Sequence, residues 1–211
     1  MDDRTTTKIR LLRAASVVFA EKGYRDATVA EICDAAGANI AAVNYHFGDK
    51  EHLYDAVWNE AFNKAAQAYP IDGNLPEDPG LEDYIFSYAS AMLHRIFSET
   101  DTGLFARLLY REMASPTLAL DHISKEVLKP QGEFLQRAIL SSTEPPLEES
   151  RLRLCLHGII GMCAFYNFSR PLRERILGRK TMSEDEIDET ARFIAGFSLG
   201  GLNAIIRKQT P

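Results

Sequence analysis

The sequence predicts an all-α protein. Apolar residues recur at helical spacing along the chain, and no segment shows the strict alternation of a strand. Capping residues and glycine or proline stops bracket those segments. The chain therefore reads as about nine helices: an N-terminal three-helix unit over residues 1–55, then a larger helical part over 56–211.

Thr5, Thr6 and Thr7 can cap a first helix over about 6–22, with Leu11, Ala15, Val18 and Phe19 as its stripe and Leu12 at the edge. Gly23 stops it, and Tyr24 is placed under the turn. Thr28, with Glu31 three residues on, forms a capping box for a second helix carrying Ile32 and Ala36 on one face. Gly37 ends that helix, since glycine adopts the left-handed turn at little cost. Asn39 caps a third helix with the stripe Ile40, Val43 and Phe47. Helices this short cannot stand alone. They need the first helix and a close crossing, which the small Cys33 permits and Val43 plugs.

A fourth helix, about 49–69, has Leu53, Val57, Ala61 and Ala65 on one face and Tyr54, Trp58 and Phe62 on another. Two apolar faces mean two bodies to contact, so this helix reads as the connector. Residues 70–80 hold three prolines and two glycines and form the clearest break. A fifth helix comes next over 81–99, with Leu81, Tyr84, Ile85, Tyr88 and Met92 on its stripe, then a sixth over 103–113, ended by Ser115-Pro116. The seventh, 117–140, contains Pro130, which predicts a kink or a split. After the loop Ser141–Pro146, the eighth runs over 147–169 before Pro171, and the ninth over 183–207 with Ser183 and Glu186 as its capping box.

Residues 28–50 are thus two short helices joined by a glycine turn, the grammar of a helix-turn-helix whose second helix enters the DNA major groove. Ala38, Ala41 and Ala42 keep that helix slim enough to approach base edges. Asn39 and Asn44 can donate and accept there, and Ile40 or Ala41 can touch a thymine methyl. Tyr45, His46 and Lys50 can reach phosphates. Thr28 and Lys50 stand at helix starts, where free amides and the dipole favour an anion. The plainer alternative is a packing hairpin that Tyr45 and His46 merely cover.

The same stretch resembles the DNA-binding domain of the TetR family of bacterial regulators. The matching elements are Phe19-Ala-Glu-Lys-Gly-Tyr24, Thr28-Val29, Ile32, Ala36-Gly37, Val43-Asn-Tyr45-His46-Phe47 and Lys50-Glu51-His-Leu53, within about residues 8–55. Cys33 stands where the family usually has alanine, and Asn44 where it often has tyrosine; the second departure bears on which bases are read. Residues 81–140, with Leu109-Tyr-Arg-Glu-Met113, Ser115-Pro116 and Lys129-Pro130, more weakly resemble the ligand domain of the CecR-like subset. The resemblance implies a repressor that leaves double-stranded operator DNA when an unknown small-molecule effector binds.

Composition is compatible with this. An apolar fraction of 45% and a charged fraction of 26% are ordinary for a globular chain. No apolar run approaches the length of a membrane span, and Met1-Asp-Asp-Arg lacks the pattern of a signal peptide, so a cytoplasmic protein with no membrane partner is expected. Three scattered cysteines suggest reduced thiols. The net charge of −6 lies wholly beyond residue 50; the first fifty residues balance seven basic against seven acidic side chains. A neutral reading head must bind through local placement of cations and amides.

Glycines 158, 161, 196, 200 and 201 weaken their helices, so those helices must gain from a close approach. From Phe193 to Ile206 the sequence is apolar nearly all round. We read this as a homodimer interface that includes Gly158, Gly161, Phe193, Phe197, Gly200 and Ile205; a buried hairpin in a monomer is the alternative. Tyr88, Met92, Phe105, Tyr110, Met113, Phe165 and Tyr166 suit an adaptable apolar effector pocket, with Arg107, Arg111 or His157 as its polar anchor. They suit a plain core equally well. No metal site is expected, because Cys155 and His157, two apart on a helix, point opposite ways, and Cys163 is more than two turns from Cys155. No phosphate loop, nucleophile elbow or carboxylate pair stands out, and no cofactor is expected. A ligand-independent DNA binder and a helical enzyme are the remaining alternatives.

Overall fold

The computed structural model describes residues 3–117, 119–179 and 181–207. Among the described residues all regular structure is helical. The chain divides into two compact units. One runs to Ala65 and takes in Thr100–Ser124; the other holds Ala66–Glu99 and everything from Lys125 onward. This partition differs from a cut at residue 55, because most of the fourth helix and the whole of the sixth pack with the reading head.

In the first unit, α1 (Asp3–Asp26) is interrupted at Gly23, whose φ of 77° is outside the helical range. Then come α2 (Val29–Ala36), α3 (Ile40–Phe47), α4 (Lys50–Ala68, its last residues in the second unit), a 3₁₀ turn (Asp101–Gly103), α6 (Leu104–Ala114) and α7 (Ala119–Ile123). Leu11, Ala15 and Phe19 of α1, Ile32 of α2, Val43 of α3 and Leu53, Val57 and Ala61 of α4 are fully buried. Phe19, Tyr24 and Tyr54 form an aromatic cluster with centroids 4.7 to 6.3 Å apart. The second face of α4 continues it: Trp58 packs edge-on to Phe105 at 5.7 Å, and Phe62 lies 5.4 Å from Phe105.

In the second unit, α5 (Leu81–Phe97) is the central helix and packs against α8 (Lys129–Ser141), α9 (Glu149–Phe168) and α11 (Glu184–Arg207). Only Ile85 and Tyr88 of its expected stripe are buried; Leu81, Tyr84 and Met92 are half-buried. Ser87, Ala89, Ser90, Ala91, Leu93 and Ile96 are buried as well, so α5 is enclosed nearly all round, and its small residues allow neighbours close on several sides. The 70–80 segment is pinned to it: the Asn74 amide donates to Ser87 Oγ, and its side chain to Ser90 Oγ, both at 3.2 Å. Arg95 is buried too. Its fork donates to the Tyr69 carbonyl at 2.6 and 3.1 Å, just past the end of α4, and to Gln131 Oε1 at 2.8 Å. Carbonyls at a helix C-terminus favour a cation.

The seventh helix is split, as Pro130 led one to expect: it consists of α7, a π-helical stretch (Ser124–Leu128) and α8, with Pro130 in the first turn of α8, where its missing N–H costs nothing; Leu118 lies outside the described residues. One expectation is corrected. Residues past Pro171 are also helical: α10 (Arg170–Leu177) has proline in its first turn and Gly178 left-handed at its end. The chain therefore has more helical segments than nine.

Candidate nucleic-acid interface

The reading head is set by local chemistry. Thr28 Oγ1 accepts from the Glu31 amide at 3.2 Å while Glu31 Oε2 accepts from the Thr28 amide at 3.1 Å, which completes the capping box. Lys22 clamps the same carboxylate at 2.6 Å and, with Thr28, holds it below its usual pKa. Gly37 is left-handed at φ 59° and turns the chain into α3. Asn39 Oδ1 accepts from the Ala42 amide at 2.9 Å and caps α3.

Only Val43 of α3 is buried, as the plug of the crossing. The rest of the helix faces outward: Asn39, Ile40, Ala41, Asn44 and Tyr45 are exposed, Tyr45 to 68%, and His46 is half-buried beside it with ring centroids 5.0 Å apart. Tyr45 therefore does not cover the hairpin. Lys50 opens α4 with its Nζ 4.5 Å over the Tyr24 ring, and burial holds its pKa below the usual lysine value. Thr28 is exposed at the start of α2. One detail narrows the expectation: the Asn39 oxygen is spent on its own cap, leaving the amide NH₂ to donate. Lys8 of α1, exposed, holds its Nζ 5.8 Å over the Phe47 ring on the last turn of α3.

The residues expected to line an effector pocket fall in both units. In the first, Phe105 is core between Trp58 and Phe62. Arg107 lines an open groove with α1 and α4. Arg111 donates to the carbonyls of Ala20 and Glu21 near the end of α1. Tyr110 is exposed, and Met113 is 64% exposed. The cause is that α6 turns Phe105, Leu108 and Glu112 inward, and a buried glutamate defeats an apolar stripe. In the second unit Tyr88 is buried and Met92 half-buried, whereas His157 is exposed and bonded to the Arg153 carbonyl at 2.7 Å. Phe165 and Tyr166 line an apolar groove with residues of α10 and α11. The core alternative fails for Met113, His157 and Phe165, and the pocket reading fails for Phe105.

Of the residues assigned to a dimer face, Gly158, Gly161, Phe193, Phe197 and Gly200 are exposed and Ile205 half-buried. Cys155 is buried and His157 exposed, as their spacing requires, and no His/Cys/Asp/Glu group among the described residues could hold a metal ion. No helix among them is long and apolar enough to cross a membrane.

A helix-turn-helix with a closed core and a slim, outward-facing second helix is the form of a major-groove DNA-binding module. Comparison with known proteins agrees. The pattern described as bacterial regulatory proteins of the tetR family matches residues 11–57. The C-terminal domain of the HTH-type transcriptional dual regulator CecR matches residues 82–202. CecR of Shigella flexneri is 32% identical over 163 residues, which is 73% of this chain and 72% of that protein. The transcriptional repressor AcnR of Corynebacterium glutamicum is 33% identical over 90 residues, 40% of this chain and 48% of that one. Among solved structures, the regulator FadR from Bacillus subtilis in complex with stearoyl-CoA shares the fold, with a TM-score of 0.70 at 16% identity over 92% of this chain and 98% of that chain. The chain belongs to the TetR family of bacterial transcriptional regulators, with a C-terminal domain of the CecR kind. It is a DNA-binding regulator and not an enzyme.

Proposed function

We propose that this protein is a cytoplasmic, homodimeric regulator that occupies an operator, acts as a repressor, and leaves the DNA when a small molecule binds its C-terminal part. The observation that carries the DNA half is the exposed face of α3, with Asn39, Ile40, Ala41, Asn44 and Tyr45 outward over a closed core. Asn44 and the Asn39 amide read base edges; Tyr45, His46, Lys50 and the α2 start at Thr28 hold phosphates.

Support for the dimer comes from glycines that do nothing within one chain. A Cβ added at Gly158, Gly161 or Gly200 would meet open space, so the helix stability each forfeits has no return inside the monomer. Phe193 and Phe197 stand 65% exposed beside them, their rings stacked at 5.9 Å. A second copy covers both features. Effector control is supported by the fold neighbour solved with stearoyl-CoA. An effector must favour the DNA-incompetent state, because equal binding to both states shifts nothing. CecR is named a dual regulator, so activation at some operators is the second reading.

The test is a genomic-fragment selection on the purified protein. Enrichment of one pseudo-palindromic family, falling in affinity with salt, is the expected result. Enrichment of no sequence would overturn the proposal.

A further inference from the structure

In the second unit, α10 is turned inside out. None of its residues is buried, and Leu172, Ile176 and Leu177 are each more than half exposed. Its arginines are enclosed instead. Arg170 donates to the Ile96 carbonyl, the Arg173 guanidinium lies 4.1 Å over the Phe97 ring, and Arg170 Nε and Arg173 Nη2 are shielded from solvent. A helix this short does not hold itself. The two arginines pin it to the last turn of α5, and its apolar side chains are left to be covered from outside.

The exposed face of α9 says what covers them. Leu154, Gly158, Gly161 and Phe165 are exposed at spacings of four, three and four, which keeps them on one side of the helix. The order, large, glycine, glycine, large, reads alike in both directions. Such a face is self-complementary, because in a two-fold contact residue i meets j and j meets i. Two α9 helices laid antiparallel, with the axis between Gly158 and Gly161, set Gly158 against Gly161 of the partner subunit and Leu154 against Phe165 of the partner subunit. The space beside both glycines is open in the single chain, so the backbones are free to approach there. Phe168 and then α10 follow Phe165 along the chain, so they fall towards the N-terminal end of the partner's α9. Side chains left this open present on the order of 100 Å² each, so those of α9 and α10, with Phe193 and Phe197 of α11, approach the about 800 Å² per partner of a standard interface. That is more than a monomer's surface ordinarily shows.

We propose that α10 is an arm of the subunit interface: two copies cross α9 on α9, antiparallel, at the Gly158–Gly161 turn, and the outward face of each α10 lies on the other copy. This rests on the homodimer reading above and adds to it a register and a third helix. The arginines of α10 are turned inward, so its docking face brings no like charges together at the axis.

Introduced cysteines read the register, since the native thiols are buried. The double variant Leu154→Cys with Phe165→Cys should join into a covalent dimer with a short bis-maleimide. Neither single variant should, because each position then lies about 16 Å from its own counterpart across the axis, as does 154 from 165 within one helix. Ile176→Glu places a carboxylate in the apolar contact and should weaken the dimer about tenfold or more by sedimentation, with helix content unchanged by circular dichroism. A dimer that does not crosslink through the pair, or that crosslinks as readily through either single cysteine, overturns the proposal and leaves the homodimer standing. So does a folded Ile176→Glu protein that dimerises as wild type does. A wild-type chain that stays monomeric at micromolar concentration overturns this packing and the homodimer reading together.

Discussion

The phenol of Tyr54 donates a 2.9 Å hydrogen bond to the carboxylate of Glu112, and both side chains are almost completely buried. The other Glu112 oxygen accepts from the amide and hydroxyl of Thr117 at 2.6 and 2.7 Å. One buried carboxyl group thus ties α4 to α6 and to the turn after it, all within the first unit. Tyr54→Phe leaves the carboxylate two of its three donors and should cost about 1–3 kcal/mol. Glu112→Leu strands three donors and should cost more. Shifts in urea midpoint measure both; equal and negligible shifts would mean that the contact does not hold the unit together.

At the reading head, Asn39 serves two purposes that substitution can separate. Asn39→Ala removes the α3 cap and should destabilise by about 0.5–2 kcal/mol. Asn39→Asp keeps an oxygen for the Ala42 amide but loses the NH₂ and adds a negative charge towards DNA. It should retain the melting temperature while weakening operator binding.

Asn44 and Lys50 should differ in kind. Asn44→Ala should change which sequences are preferred, because the proposed reading puts its exposed amide at base edges. Lys50→Ala should weaken all sequences by a similar factor and flatten the salt dependence by about 0.9 of a log–log unit, the value of one phosphate contact. Binding isotherms on a panel of sites at several salt concentrations distinguish the two.

Assembly and DNA binding should fail together. Gly158→Leu or Gly200→Leu fills space that is open in the single chain, so the fold should be retained while the subunits separate. Preferred sites should have half-sites about 34 Å apart or a multiple of that, one helical turn of DNA. Sedimentation velocity and footprinting check this; a micromolar monomer with full operator affinity would contradict it.

All three cysteines are free and buried. Burial pushes the Cys163 thiol up to about 12 and raises Cys33 and Cys155 as well. A thiol held protonated is a poor nucleophile. Native protein at neutral pH should therefore resist a disulfide reagent at Cys163, and denaturant should release all three thiols.

Strong acid should loosen the start of α11. The Arg179 guanidinium, aided by the Ser183 amide, holds the Glu186 carboxyl down at about 2 from an ordinary 4.5. A depressed carboxyl contributes stability above its unfolded value and loses it as pH falls through the folded one. Amide protection in the first turn of α11, taken relative to the intrinsic exchange rate at each pH, should fall between pH 4.5 and 2, and Glu186→Gln should abolish that dependence.

Caps and stops act over three or four residues, so they are legible in the residue string alone. Thr28 with Glu31, Gly37 and Asn39 set the turn and both ends of the reading helices, and Ser183 with Glu186 set the start of α11. The apolar stripe of α3 was less legible: of Ile40, Val43 and Phe47 only Val43 is buried, Ile40 being exposed and Phe47 half-buried. Packing between distant segments settled the rest. Glu112 and Arg95 are buried because Tyr54 and Thr117, and Tyr69 and Gln131, satisfy them from elsewhere in the chain, and such partners leave no mark in a hydrophobic stripe. Met113 and Phe165 stand outward for the converse reason: an apolar residue goes inward only where a neighbouring helix supplies a surface. Pro171, read locally as a stop, instead opens α10. Proline lacks an N–H in either place, and only the packing of the next residues decides whether a new helix grows from it.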